Sequence, residues 1–352
     1  MDWTRRDVVK AGAGVAAGAL AGCLDDIEAS DRSLDGGYAA FFTLWDWAQR
    51  VSGDAIAFEN PVGTGQAGHG WSPSGDLTRD IADAGVFVYF DTPEFSWAQD
   101  IAATLEADYD DVAVIDGLEG LEEQLLGWDH EVETGGHGGD GRHNDTEDGD
   151  HDEHDGGGNH GDGGHGHDES SIDPHVWLDP VLAGEIVGTI ADGLADADPD
   201  NAGTYEEHAD AYRDELEALD GQFEEVIDAA NRQTAVYAGH DSFTYLQERY
   251  EFGIHTPVGV SPQEEPSPND ISETIDLVDS QGIETILYNP FEAVDGDYPL
   301  VNTIVAESDA TDAMPVTHLS GTFARWQDQN WGYLEQMQEI NVPAFREALD
   351  AQ

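Results

Sequence analysis

The sequence predicts an α/β protein of two lobes, each with a mostly parallel sheet, joined by one long helix. Short apolar runs alternate with helical patterns over residues 37–129 and again over 231–352, and this alternation is typical of parallel sheets. Between the two series, residues 180–230 keep a helical pattern that Pro199 interrupts. The later part predicts a helix of about 28 residues, about 42 Å long at 1.5 Å per residue, which would reach both lobes.

The composition indicates a folded chain with a very acidic surface. Hydrophobic residues make up 39% of the 352 residues, enough to bury one large core or two lobes. The 76 acidic residues outnumber the 12 basic ones, so the formal net charge is −64 with histidine neutral. Such a charge excludes nucleic-acid binding as the default function. It is typical of a halophile's surface, because in about 1 M salt the Debye length falls to about 3 Å.

The N-terminus resembles an export signal. Arg5 and Arg6 form a twin-arginine pair, and the small-residue apolar run at 11–22 is too short to span a bilayer. Residues 20–23 (LAGC) resemble the lipobox at which a lipoprotein signal is cleaved and its cysteine receives a lipid.

From this resemblance we expect residues 1–23 to be a twin-arginine lipoprotein signal and residues 24–36 a linker. Cys23 would be the site of lipid attachment, and the protein would be anchored to the outer face of the cytoplasmic membrane. Cys23 is also the only cysteine in the sequence. The folded part therefore has no disulfide and no thiolate metal site.

The first lobe, residues 37–129, is predicted to alternate four strands with four helices. The predicted strands are at 39–43, 55–62, 86–90 and 112–115. The predicted helices are at 45–51, 77–84, 94–106 and 118–126, and Ser74 is a candidate cap for the second.

Residues 172–230 are predicted to form a loop and the connecting helix, and residues 231–352 the second lobe. One face of the helix is kept apolar by residues at steps of three and four: Tyr205, Tyr212, Leu216, Leu219, Phe223 and Val226. The predicted strands of the second lobe are at 235–238, 256–260, 285–288 and 316–319.

Residues 130–171 lie between the first lobe and the connecting region. This segment is roughly one-third glycine and otherwise mostly Asp, Glu and His, with eight histidines and no apolar periodicity. It is predicted to be disordered, because it cannot offset the entropy of ordering. Two interpretations stay open: weak, exchangeable metal contacts that raise the local zinc concentration, or a solvated insertion in a halophilic protein.

Four of the six remaining histidines follow predicted strands or begin helices. His69, His240 and His318 come at or just after strand ends, and His175 lies in a proline-bounded run with Trp177. Ligands of open α/β sheets bind at the carboxyl ends of strands, so these four imidazoles could meet in one cleft. This hypothesis requires rings that lie within about 6 Å of one another. The other two, His208 and His255, are interpreted as structural.

Three separate motifs resemble the zinc- and manganese-binding lipoproteins of ABC metal importers, the ZnuA-like and TroA-like solute-binding family. They are residues 173–180 (DPHVWLDP), 239–246 (GHDSFTYL) and 261–268 (SPQEEPSP), in the order in which that family has them. The resemblance implies two pseudo-symmetric lobes joined by one long helix, with metal held in the cleft by His69, His175 and His240. It also implies a monomer that delivers its metal to an ABC permease.

The sequence departs from the family pattern near the fourth ligand. Family members often have Asp or Glu in the last strand-end turn, where this chain has His318, and zinc-type members can have Glu where this chain has Gly68. A site of imidazoles, or of three imidazoles plus water, favours Zn²⁺ over Mn²⁺, which prefers oxygen ligands. The carboxylates of Asp173, Asp179 and Asp241 could orient the rings or cap helices instead.

Two other functions stay open at this point. An exported zinc hydrolase could also use three histidines and an open position, but it would need a general base such as Glu beside the metal. The sequence has no His-Glu-x-x-His motif, and Glu264 and Glu265 are the nearest candidates. A passive extracellular zinc buffer would use the histidine-rich segment alone.

Overall fold

The computed structural model describes residues 34, 36–66, 68, 71–128, 130, 132, 172–258, 266–292 and 297–352. These residues all belong to one compact unit, Ser33–Gln352. The predicted signal with Cys23 lies outside the described residues, as do His69, Glu264, Glu265 and all of the histidine-rich segment except residues 130 and 132. Within the described part of the chain, no helix has the length and apolar character needed to cross a membrane.

The first lobe is a four-stranded parallel sheet with helices on its faces. Its strands run in the order β2-β1-β3-β4. They are β1 (Gly37–Ala39), β2 (Phe58–Glu59), β3 (Val86–Tyr89) and β4 (Ala113–Asp116), with helices α1 (Phe42–Ser52), α2 (Leu77–Ala84) and α3 (Ser96–Asp108).

The second lobe repeats this arrangement with the order β6-β5-β7-β8, again all parallel. Its strands are β5 (Thr234–Tyr237), β6 (Gly253–His255), β7 (Thr285–Tyr288) and β8 (Asp312–Pro315). Its helices are α6 (Thr244–Tyr250), α7 (Pro268–Gln281), α8 (Pro299–Glu307), α9 (Ala324–Gln327), α10 (Tyr333–Gln336) and α11 (Val342–Ala348). The two sheets have equivalent strand orders, so the predicted α/β fold with two pseudo-symmetric lobes is confirmed.

Two helices join the lobes, α4 (Pro180–Ala197) and α5 (Ala202–Ala229). The predicted connecting helix is α5, which has 28 residues and buries the apolar face expected from the sequence. It packs against α4 and against α1 of the first lobe and α11 of the second. A single large apolar cluster therefore contains residues of both lobes and of the connecting helices.

Hydrogen bonds also join the lobes directly at the side where the carboxyl ends of the strands meet. The Thr43 hydroxyl donates to the Leu319 carbonyl at 2.7 Å, and the Gly65 N–H donates to the Thr322 carbonyl at 2.7 Å. A Cβ atom added to Gly321 would lie 2.1 Å from the Gln66 carbonyl oxygen. Only glycine fits at position 321, because the two loops touch backbone to backbone.

Some predicted elements were wrong. Residues 118–126 form turns instead of a helix, because their backbone bonds join residues three apart, as from Leu121 N–H to the Leu118 carbonyl. Leu118 and Leu121 are three residues apart because both contribute to the apolar core, and not because the segment is helical. Thr43 lies in α1 and not in a strand, and Ser74 does not cap α2, which begins after Asp76 with no side-chain cap.

Two strands of the second lobe, predicted at 256–260 and 316–319, lie a few residues earlier in the structure. The structure has β6 at Gly253–His255 and β8 at Asp312–Pro315, whereas residues 256–258 and 316–319 are loops. Val316 and Leu319 are buried because this loop turns back into the core, and Leu319 has a left-handed φ of 61°. Burial of an apolar run does not by itself indicate a strand.

Candidate metal site

His175 lies at the start of the connecting region, in a 3₁₀ turn formed by His175–Leu178. Asp179 ends this turn and caps α4, since its carboxylate accepts from the N–H groups of Val181 (2.8 Å) and Leu182 (3.2 Å). The Trp177 indole N–H donates to the His318 carbonyl at 2.7 Å. The segment that carries His175 is therefore fixed at its end and attached to the loop that carries His318.

His240 and His318 each lie three residues beyond the carboxyl end of a strand, β5 and β8. Asp241 does not cap the following helix, because α6 begins at Thr244 after Phe243 and has no side-chain cap there. The Asp241 carboxylate instead accepts from the Phe243 N–H at 2.9 Å and from the Gln247 amide at 2.7 Å. The loop carrying His240 is thus held by its neighbouring aspartate.

Three of the four candidate ligands, His175, His240 and His318, are described, and their rings converge. The ring centres of His175 and His240 are 6.0 Å apart, those of His175 and His318 are 6.4 Å apart, and those of His240 and His318 are 6.3 Å apart. All three side chains are buried. The His175–His240 separation lies at the limit of about 6 Å that the hypothesis set, and the other two lie slightly beyond it.

The geometry is more open than that of rings bound to one zinc ion. With Zn–N bonds of 2.0–2.1 Å in tetrahedral geometry, ring centres would lie about 5 Å apart. Among the described residues, accordingly, no three His, Cys, Asp or Glu side chains form a ready group of metal ligands. Each described ring must approach its neighbours by about 1 Å to share one zinc ion.

His69 lies outside the described residues, but Gly68 before it is described. A Cβ atom at Gly68 would be 3.1 Å from Phe41 Cβ, 3.1 Å from Phe95 Cε1 and 3.4 Å from the Ser320 carbonyl oxygen. A larger side chain at position 68 would have to displace these neighbours. Tight packing therefore accounts for glycine at the position where the family resemblance suggested glutamate.

Carboxylates hold the Nδ1 atoms of two of the rings. Asp173 Oδ1 lies 2.7 Å from His175 Nδ1, and Glu292 Oε1 lies 3.2 Å from His240 Nδ1. Because an ionised carboxylate only accepts hydrogen bonds, each neutral ring carries its proton on Nδ1. The lone pair of Nε2 then faces away from the carboxylate, as in metal-binding histidines oriented by a carboxylate.

His318 is held differently, by Ser320. The Ser320 backbone N–H donates to His318 Nδ1 at 3.3 Å, and the Ser320 hydroxyl lies 2.8 Å from the same nitrogen. Because an N–H group can only donate, Nδ1 is the accepting nitrogen and the neutral ring carries its proton on Nε2. A metal ion that bound His318 through Nε2 would first have to displace that proton.

Of the three aspartates that could orient rings, only Asp173 contacts a ring nitrogen within the described part of the chain. Burial raises the pKa of Asp241 to about 6, against the lowering effect of the hydrogen bonds from Phe243 and Gln247. Burial also raises the pKa of Asp179, and the charge of Arg249 opposes this. Asp179 and Asp241 accept from backbone N–H groups, and so fix the segments that follow His175 and His240.

Sequence reasoning missed Glu292. This residue follows β7, the strand that lies between β5 and β8 in the sheet. The rule that found His240 and His318, placement beyond the carboxyl end of a strand, would also have found it.

The two histidines interpreted as structural have partners elsewhere. His208 Nδ1 lies 3.0 Å from the Val51 carbonyl oxygen, which ties α5 to α1. His255 is the last residue of β6, and its Nε2 lies 2.9 Å from the Thr274 hydroxyl. Burial lowers the pKa of His255, so the neutral ring is favoured there.

Comparison with known proteins identifies relatives of this chain. The family model described as "ZnuA: Zinc-uptake complex component A periplasmic" matches residues 38–348. The zinc-binding lipoprotein AdcA of Streptococcus pneumoniae (strain TIGR4) is 28% identical over 268 residues, which are 76% of this chain and 47% of AdcA. The high-affinity zinc uptake system protein ZnuA of Bacillus subtilis is 27% identical over 179 residues, 51% of this chain and 54% of that protein.

A solved structure has the same fold. The Zn(II)-bound ZnuA-like domain of S. pneumoniae AdcA gives a TM-score of 0.65 at 24% identity, covering 90% of this chain and 98% of that domain. The chain spans about half the length of the curated relatives it matches. Because the family model covers most of the sequence, the chain belongs to the ZnuA family.

Proposed function

We propose that this protein captures Zn²⁺ in the cleft between its lobes and delivers it to the permease of an ABC importer. The observation that supports this most directly is the convergence of three buried imidazoles, at ring-centre distances of 6.0–6.4 Å. His175, His240 and His318 would bind the ion together with His69. Its relatives named above are a zinc-binding lipoprotein and a high-affinity zinc uptake protein.

The donor set favours zinc as the cargo. Neutral imidazole nitrogen suits Zn²⁺, whereas Mn²⁺ prefers carboxylate and carbonyl oxygen. The two carboxylates nearest the rings, Asp173 and Glu292, already accept hydrogen bonds from Nδ1. Their role would be to orient the rings, and the protein would act as a carrier without catalysing a reaction.

The location and assembly of the protein follow from the same proposal. The twin-arginine signal would export the folded chain, and a lipid on Cys23 would hold it, as a monomer, at the outer face of the cytoplasmic membrane. The acidic surface would suit a saline exterior.

Zinc titration of the full chain in about 1 M KCl tests the proposal. The wild type should bind one Zn²⁺ tightly and Mn²⁺ far more weakly, and His240→Ala should abolish the tight site. His208→Ala removes a histidine that contacts Val51 instead of the cleft and serves as the control. Tight binding retained by His240→Ala would contradict the cleft site. Zinc-dependent esterase or peptidase activity, lost in the same variant, would support a hydrolase instead.

A further inference from the structure

The His240 ring is held at both of its nitrogen atoms. Glu292 Oε1 lies 3.2 Å from Nδ1, and the Ser242 hydroxyl oxygen lies 3.0 Å from Nε2. Ser242 is completely buried, so its hydroxyl must find its hydrogen-bond partners within the protein. The nitrogen that would face a metal ion is therefore covered by a hydroxyl group.

The direction of this hydrogen bond follows from the Glu292 contact. Glu292 accepts from Nδ1–H, which leaves Nε2 with a lone pair and no proton. The Ser242 hydroxyl has two acceptors within reach, Nε2 at 3.0 Å and the His240 carbonyl oxygen at 3.4 Å. Because Nε2 is nearer, the hydroxyl donates to it, and the hydrogen bond uses the same lone pair that zinc needs.

We propose that Ser242 sets the zinc affinity of the cleft by competing with the ion for His240 Nε2. This inference rests on the proposed function and concerns the same site. Zinc in proteins is bound by thiolate, imidazole or carboxylate and not by a neutral serine hydroxyl, so the hydroxyl acts against binding. When zinc binds, the hydroxyl turns toward the His240 carbonyl; when zinc leaves, it returns to Nε2. Ser242 thus weakens capture and makes the ion easier to release.

Ser320 provides an internal comparison, because it also follows a cleft histidine by two residues. Its hydroxyl lies 2.8 Å from Nδ1 of His318, whereas Ser242 lies at Nε2 of His240. Both serines are fully buried, so truncation of either hydroxyl removes the same atom from a similar environment. At His318 the Ser320 backbone N–H also donates to Nδ1, so Ser320→Ala leaves that nitrogen with a donor, whereas Ser242→Ala removes the hydroxyl donor from His240 Nε2.

The experiment measures zinc affinity and dissociation for wild type, Ser242→Ala and Ser320→Ala. Affinity is measured by competition with a chelator, and dissociation by stopped-flow mixing with excess chelator. A hydrogen bond of this kind contributes about 0.5–1.5 kcal/mol, so Ser242→Ala should bind Zn²⁺ about 2- to 10-fold more tightly and release it more slowly. Ser320→Ala should show no such gain. Unchanged or weaker binding by folded Ser242→Ala would overturn the inference while leaving the proposed function intact.

Two further results keep the tests separate. If the wild type lacks one-site zinc binding, both the proposed function and this inference fail. Nitrogen chemical shifts of the His240 ring in the zinc-free wild type test the inference without a variant. A ring protonated at Nδ1 supports it, and a ring protonated at Nε2 contradicts it, because that nitrogen would then have no lone pair to be covered.

Discussion

The settings of His175 and His318 differ although their ring centres lie only 6.4 Å apart. His175 has a carboxylate, Asp173, at 2.7 Å from Nδ1, and the Tyr245 hydroxyl donates to the Asp173 carbonyl at 2.9 Å. His318 has a backbone N–H and a hydroxyl, both from Ser320, at the same ring atom. A carboxylate places the ring proton on Nδ1, whereas a backbone donor places it on Nε2. Convergence of rings alone therefore does not make the histidines equivalent as ligands.

The largest effect should distinguish these two histidines. Binding of structural zinc by four ligands contributes about 10–16 kcal/mol, or about 2.5–4 kcal/mol per ligand. We expect His175→Ala to weaken zinc binding about 100- to 1,000-fold. His318→Ala should cost about 10-fold, because part of its binding energy is used to move the ring proton. Zinc competition titrations of both variants measure this, and equal losses would remove the distinction.

A smaller effect should follow removal of the carboxylate behind His175. Residues that orient metal-binding histidines typically contribute 10- to 100-fold in affinity. Asp173→Ala should therefore weaken zinc binding by about that factor, as measured by the same titration. Asp173→Asn keeps an oxygen that can accept from Nδ1 and should restore part of the loss. If Asp173→Asn and Asp173→Ala bind equally weakly, the charge and not the hydrogen bond is responsible.

The smallest effect concerns pH, because the stability of the fold and the zinc affinity of the site should depend on it in opposite directions. Burial raises the pKa of Asp116, at the end of β4, from 3.8 to about 6. The protonated form favours the folded state, so this contribution is complete below pH 3.8 and is lost as the pH rises through about 6. It amounts to about 2 kcal/mol after allowance for partial exposure. Zinc binding changes in the opposite direction, because neutral imidazole, with an ordinary pKa of about 6.5, is needed.

Asp116→Asn tests this separation. An asparagine oxygen can still accept from the N–H groups of Asp91 and Leu118, both at 3.0 Å. The unfolding free energy of the zinc-free variant should therefore fall less between pH 4 and 6 than that of the wild type, measured by denaturant titration in about 1 M KCl. Zinc affinity should be unchanged at each pH. A changed zinc affinity would mean that the protonation of Asp116 affects zinc binding.

Periodicity identified much of the fold but few of its exceptions. The 28-residue α5 was predictable because its apolar residues recur at helical spacing over many turns. The turns at residues 118–126 were not, because buried leucines in a tight loop can imitate that spacing. The shift of the last strand to Asp312–Pro315 depends on pairing with β7, which no local pattern records.

The candidate site was predictable where strand ends and histidines coincide. That rule selected His69, His240 and His318, and His175 was selected because it lies in a proline-bounded run with Trp177. Whether they bind metal is a prediction that the titrations test. The roles of Glu292, Ser242 and Ser320 could not be read from the sequence, because each depends on which ring nitrogen it contacts. Contacts at this scale are set by tertiary packing.

The backbone contact at Gly321 bears on how a bound ion could leave. The carbonyl oxygen of Gln66 lies 2.1 Å from where a Cβ at position 321 would be. The neighbouring Gly65–Thr322 and Thr43–Leu319 hydrogen bonds also join the two lobes. A rigid-body rotation that separates the two lobes would have to break these contacts and bend α5, a continuous helix of 28 residues. Under the proposed function, loading and unloading through local displacement of individual loops leave these contacts and α5 intact.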